Sequence, residues 1–123
     1  MLSDLLNKLL SFRQQIQLYH WSTRSYSRHI ASGTLYTNLS TLIDKFIEIL
    51  QGRVDRISYK KIVLRLKSVN DKKINDVLVD FRDYLQVKLE EELSALTSVS
   101  ELLNLRDEML GEVNQTLYLF SLQ

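Results

Sequence analysis

Two histidines and one pair of carboxylates are the residues of this sequence that could do metal chemistry. His20 and His29 lie nine residues apart, and further along Asp44 and Glu48 are separated by four residues. Side chains four residues apart lie on one face of a helix, so the two carboxylates can share a ligand. Imidazole and carboxylate ligands suit iron, manganese or zinc, and the sequence does not choose among these metals. These four residues are the candidate metal ligands.

The spacing of the candidate ligands decides how such a site could be built. On a continuous helix the fifteen residues from His29 to Asp44 span about 22 Å, whereas a metal ion needs its ligands at about 2 Å. One ion therefore cannot bind both residues of the same chain. Two copies of the helix that run antiparallel across a two-fold axis would bring His29 of one copy to Asp44 and Glu48 of the other. The predicted site lies between subunits and requires at least a two-fold dimer.

Apolar residues at helical spacing predict four helices. The second is expected from Arg28 to Gln51 and is followed by Gly52 as its C-terminal glycine; its apolar stripe comprises Leu35, Leu39, Leu42, Phe46, Ile49 and Leu50. The third is expected to be capped by Asp71 or Asn75. Trp21, Phe46 and Phe81 are predicted core residues. The sequence thus predicts an all-α four-helix bundle, one domain over residues 1–123, with a long crossover between helices 2 and 3.

The composition limits the classes of protein to consider. The 123 residues include no cysteine and no proline, and 45% are hydrophobic, which suits one helical domain without disulfides. Asp4 and Lys8 interrupt the apolar N-terminal pattern, which argues against a secretory signal. No apolar run approaches the length of a membrane span. We therefore expect no membrane partner, and either an intracellular, cytoplasmic location or a place in a virion.

Two kinds of catalytic site find no support in the sequence. A di-iron site inside one bundle requires Glu-x-x-His on two helices, but Gln17 precedes His20 and Tyr26 precedes His29 at that spacing. The missing glutamates exclude this arrangement. A nucleophilic triad has almost no support either, because there is no cysteine and only two histidines could serve as general base.

Positive charge is concentrated between the second and third helices. Residues 53–73 hold eight basic and two acidic residues, whereas residues 74–123 hold three basic and ten acidic ones. A basic segment can bind phosphates through charge alone, but Tyr59 is its single aromatic residue, too little for base stacking. The alternative is a solvated crossover that balances the acidic helices of neighbouring subunits. The basic residues are Arg53, Arg56, Lys60, Lys61, Arg65, Lys67, Lys72 and Lys73.

The motif LYHW at residues 18–21, followed by His29 and then by Asp44 and Glu48, resembles the Dps group of ferritin-like proteins (DNA protection during starvation). The resemblance implies a ferritin-like fold and an iron-oxidising site shared by two-fold-related subunits. The segment from His20 to Gly52 and the ending LLNLRDEMLGEVNQTLYLF also resemble a shorter Dps-like family of large DNA viruses and phages. Gly33 stands where the Dps group has a metal-binding aspartate.

Three functions follow from these residues and this resemblance. The first is a Dps-like protein that binds iron through His20, His29, Asp44 and Glu48 and has a ferroxidase-like activity. The second is a structural protein of a virion or another assembly, with virion proteins as partners and a metal site that has decayed; Gly33 favours it. The third and weaker hypothesis is nucleic-acid packaging through the basic residues of segment 53–73.

Overall fold

The computed structural model describes residues 2–122, which form four helical segments and no β-strand. Helix α1 covers Leu2–Ser22 and helix α2 covers Tyr26–Val54. The third segment consists of α3 (Ile74–Asp83), a π-helical segment (Tyr84–Lys88) and the short helix α4 (Leu89–Glu92). The fourth is helix α5, Ser100–Phe120. The predicted all-α architecture with four helical segments and a long crossover is confirmed.

The core lies between the helices and is built from the predicted apolar stripes. Helix α2 packs against both α1 and α5, and the third segment also packs against α1 and α5. The rings of Phe12 on α1 and Phe81 on α3 stack with their centroids 3.8 Å apart. From α2 the core receives Leu35, Leu39, Ile43, Phe46 and Leu50, all buried, while Leu42 and Ile49 are half-buried at its edge. No helix within residues 2–122 combines the length and apolarity needed to cross a membrane.

Trp21 lies outside the core, contrary to the prediction, whereas Phe46 and Phe81 are buried as expected. The side chain of Trp21 is 66% exposed and that of Tyr19 only 1%. Two residues along a helix turn the side chain through about 200°. Since Tyr19 continues the buried stripe of α1, Trp21 must face away from the core.

The predicted end of α2 at Gly52 is also wrong. The helix continues to Val54 and ends at Asp55, which has φ 77° and ψ 174°. Contacts from other parts of the chain stabilise this last turn. The Arg53 guanidinium donates to the carbonyl oxygens of Thr97 and Ser98, and the Gln51 side chain accepts the backbone N–H of Ile57. The helix therefore ends where these anchors end.

The crossover, residues 55–73, contains neither helix nor strand. Helix α3 begins without the predicted cap at Asp71 or Asn75. Asn70 takes that place, because its side-chain oxygen accepts the backbone N–H groups of Lys72 and Lys73, both at 3.0 Å. Asp71 instead contacts the end of α1.

Candidate metal centre

His20 and His29 meet where α1 gives way to α2. The connection between these helices is only residues 23–25, and the Ser25 side chain caps α2 by accepting the backbone N–H of Arg28. This short turn brings the last residues of α1 beside the first turn of α2. The two imidazole rings stack, with their centroids 4.0 Å apart and their planes within 13°. Both histidines were predicted as ligands from the sequence, but the stacking of their rings was not predicted.

Each histidine is fixed by a hydrogen bond to the backbone of the other. His20 Nδ1 lies 2.7 Å from the carbonyl oxygen of His29, and His29 Nδ1 lies 2.9 Å from the carbonyl oxygen of His20. A carbonyl oxygen can only accept, so both Nδ1 atoms must carry a hydrogen. In the neutral rings the lone pair is then on Nε2, the atom left for a metal ion. The backbone thus sets both imidazoles in a ligand tautomer.

Ser32 also contacts the histidine pair, a contact that sequence analysis did not predict. Its side chain is fully buried, its hydroxyl donates to the carbonyl oxygen of His29 at 3.2 Å, and it lies 3.3 Å from His20 Nδ1. A serine three residues after a histidine on a helix faces the same side. That spacing is the one signal that could have identified it.

Gly33 is in contact with the His20 ring. A Cβ atom at this position would lie 2.7 Å from Cε1 and 3.1 Å from Nδ1 of His20. Any side chain here would displace the imidazole. His20 therefore occupies the space into which an aspartate at position 33 would extend.

Asp44 and Glu48 lie further along α2, away from the histidine pair. Both are exposed, and neither forms a hydrogen bond or ion pair with any residue of the described part of the chain. Within residues 2–122 no three histidine or acidic side chains come close enough to bind one metal ion. The chain thus brings the two predicted imidazoles together and leaves the two predicted carboxylates apart from them, in agreement with the helical distance.

Arg28, next to His29 on the first turn of α2, is buried. It donates to the Tyr19 hydroxyl at 3.3 Å and to the carbonyl oxygens of Asp71 and Phe120 at 3.2 and 3.4 Å. The Asp71 carboxylate accepts from the hydroxyls of Tyr19 at 2.7 Å and Thr23 at 2.9 Å. The Tyr19 hydrogen bond lowers the pKa of Asp71, and burial raises the pKa of Tyr19. This network fastens the junction of α1 and α2 to the crossover and to the end of α5.

The surface around the histidine pair is open and partly apolar. A shallow groove contains both rings together with Gln17, Trp21 and Ile30, and the last two side chains are 66% and 49% exposed. Tyr26 is exposed nearby on the first turn of α2. Exposed apolar groups beside polar ones are typical of surfaces that contact another molecule.

The basic residues of segment 53–73 fall into two groups, two that contact acidic or carbonyl groups and six that are exposed without an ion pair. Arg53 is bound to the 97–101 region, where Glu101 adds an ion pair at 3.4 Å, and Arg56 lies 3.9 Å from Asp55. The remaining ones are exposed and have no ion pair within residues 2–122: Lys60, Lys61, Arg65, Lys67, Lys72 and Lys73.

Fold and site together define an all-α protein with a paired-histidine candidate metal centre at the junction of its first two helices. Residues 20–120 match a family described as a family of unknown function (DUF5856), and the chain belongs to that family. The matched region begins at His20 and includes all four candidate ligands and the crossover. No curated protein and no solved structure matches the chain.

Proposed function

We propose that the protein is a Dps-like, ferritin-type metal-binding protein that takes up Fe(II) at a site between two-fold-related subunits. His20 and His29 of one subunit and Asp44 and Glu48 of the other would be the ligands. The observation that carries the proposal is the reciprocal bonding of the histidines, because it prepares two Nε2 atoms as donors before any metal arrives.

The donor set suits the proposed metal. Imidazole and carboxylate ligands suit iron, and an ion held by four or fewer protein ligands keeps coordination positions for an oxidant. The exposed, unpaired state of Asp44 and Glu48 supports a role at a subunit contact, where a metal ion would offset their charge. With hydrogen peroxide as oxidant, two Fe(II) ions each give up one electron, and the peroxide takes two electrons and two protons to form two waters.

The direct test is anaerobic titration with Fe(II), followed by air or peroxide and measurement of ferric absorbance. We expect saturable binding and a ferric signal, both lost in His29→Ala and in Glu48→Ala. Glu108→Ala is the matched control because Glu108 is likewise exposed but lies on α5. Absence of saturable binding would remove the proposal, and binding without oxidation would reduce it to a metal site.

Mixing two inactive variants tests whether the site is shared. In a heterodimer of His29→Ala with Glu48→Ala, one of the two sites carries both substitutions and the other carries neither. Random mixing should therefore restore about a quarter of the sites, since about half of the dimers are heterodimers and each has one intact site. A site within one subunit would regain nothing on mixing.

A second function, a non-enzymatic structural protein of a virion or another assembly, is favoured by the contact between Gly33 and His20. That contact leaves no room for the additional carboxylate of the Dps pattern. Mass measurement of the assembly with metal analysis separates the two functions. A metal-loaded oligomer supports the first, and a metal-free oligomer that co-purifies with particles supports the second.

A further inference from the structure

The middle of the crossover, residues 62–67, lies across α1 as an extended strand-like segment. Its side chains alternate between two environments: Ile62, Leu64 and Leu66 are half-buried, and Val63, Arg65 and Lys67 are exposed. Alternation with a period of two is the signature of an extended chain with one face on a core. We call residues 62–67 the crossover strand.

One edge of the crossover strand is bound to α1. The Asn7 side chain donates to the carbonyl oxygen of Val63 at 2.9 Å. The Gln15 side chain accepts the backbone N–H of Lys67 at 3.1 Å and donates to the carbonyl oxygen of the same residue. In an extended chain the backbone groups of alternate residues point to the same side. The edge formed by Val63, Arg65 and Lys67 therefore faces α1.

The opposite edge has no partner. Within residues 2–122 the backbone N–H and C=O groups of Ile62, Leu64 and Leu66 form no hydrogen bond with backbone or side chain. Such a row of open groups is a template for an added strand, a mode of peptide recognition in which backbone bonds supply affinity. This free edge is unusual in an otherwise helical protein.

The charges beside the free edge specify the occupant. Lys61, Arg65 and Lys67 are exposed along one face of the segment, and none has an ion pair within the described residues. We propose that the free edge of the crossover strand binds an extended acidic peptide segment of a partner protein. The peptide adds as a β-strand, and acidic side chains at alternate positions lie beside these three cations.

A second copy of the same strand does not fit this edge. Antiparallel self-pairing centred on Leu64 places Lys61 opposite Lys67, and a shift of the centre to Arg65 places that residue opposite itself. A shift the other way, to Val63, places Lys61 opposite Arg65. Like charges directly opposite each other destabilise a strand pair. Every register near the middle of the segment therefore opposes self-association.

Nucleic acid fits the charge but not the edge. A phosphate backbone offers no alternating row of N–H and C=O groups to pair with Ile62, Leu64 and Leu66. Stacking cannot replace these bonds, because Tyr59 is the single aromatic residue of the basic segment. The acidic peptide uses both the charges and the open backbone groups.

The proposal is tested with a short fluorescent peptide that alternates glutamate with valine, by anisotropy with the full chain. We expect saturable binding. N-methylation of one alternate set of residues should weaken binding about a hundredfold, because about three backbone hydrogen bonds are lost, while N-methylation of the other set should have little effect. The set that is sensitive also shows whether the peptide runs parallel or antiparallel to the crossover strand. With the glutamates beside the cations, the backbone groups of the valines bond to the free edge in an antiparallel arrangement, and those of the glutamates do so in a parallel one.

Charge-reversal variants provide the second arm. Arg65→Glu with Lys67→Glu should weaken binding at least about tenfold, since like charges then face each other. Arg24→Glu with Lys45→Glu changes the net charge equally at exposed positions outside the crossover strand and should bind as the unmodified chain does. Circular dichroism checks that all variants are folded.

Three results would overturn the proposal. The first is that N-methylation of neither set of residues weakens binding of the acidic peptide, which would indicate charge attraction alone. The second is displacement of the peptide by single-stranded DNA when the DNA phosphate concentration equals the concentration of peptide carboxylates, with DNA binding that does not depend on Arg65 and Lys67. The third is a peptide copy of residues 60–68 that binds as tightly as the acidic peptide, which would indicate self-association.

Discussion

Replacing Gly33 by alanine should destabilise the protein, although the same change in a helix normally stabilises it. Alanine in place of a helical glycine contributes about 0.5–1 kcal/mol. At position 33 the new methyl group would lie 2.7 Å from Cε1 of His20, well inside contact distance. The ring must move, and with it the hydrogen bond from Nδ1 to the carbonyl oxygen of His29.

The size of the effect follows from these opposing contributions. Overpacking a filled site costs about 1–3 kcal/mol, and loss of the His20 hydrogen bond costs about 1 kcal/mol. Against the helix-propensity gain of about 1 kcal/mol, the expected net loss is about 1–3 kcal/mol.

Gly111→Ala is the matched control for this measurement. Gly111 is in α5, and a Cβ atom there would meet nothing within 4 Å. Urea unfolding should show Gly111→Ala more stable than the unmodified protein and Gly33→Ala less stable. If both substitutions stabilise the protein equally, the His20 ring does not rest on Gly33 and the account of the paired histidines fails.

Two further predictions concern the end of α2 and the junction network. Asp55 has φ 77° and ψ 174°, a region almost restricted to glycine, so Asp55→Gly should raise the free energy of unfolding in urea by about 1 kcal/mol, whereas Asp55→Ala should not. Asp71 has its pKa lowered by the Tyr19 hydroxyl, so its contribution to stability is present above the unfolded pKa and is lost as the pH falls through the folded one. Urea unfolding across the acid range should show a smaller loss for Asp71→Asn, and an unchanged loss would contradict the assignment.

The helices were predictable because their packing depends on a local repeat. Four residues of the predicted stripe on α2 are buried, Leu35, Leu39, Phe46 and Leu50, since a period of 3.6 residues puts those side chains on one face. The buried residue between Leu39 and Phe46 is Ile43 rather than the predicted Leu42. The long crossover was predicted for the same reason, because helical periodicity is lost after α2. Helix phase also explains the error at Trp21, whose apolar character suggested burial but whose position on α1 turns it outward.

The features that were predicted wrongly or missed depend on contacts between residues or elements that a local sequence pattern does not relate. The end of α2 passes Gly52 because Arg53 reaches carbonyl oxygens more than forty residues away. The candidate ligands were identified by residue type, but the stacking of His20 on His29 depends on a three-residue turn. From the sequence, the crossover strand was recognised only as a basic segment. Its free edge is defined by contacts of the other edge with Asn7 and Gln15, more than fifty residues away.

The buried guanidinium of Arg28 has a consequence for the order of folding. Its three acceptors lie 9, 43 and 92 residues away along the chain. Contacts of large sequence separation require loops to close at an entropic cost, so they tend to form after local helices. The hydrogen bond between Arg28 and Phe120 is therefore expected to form late in folding, once α5 has packed. We therefore expect the junction that carries the histidine pair to close only after the last turn of α5 has formed.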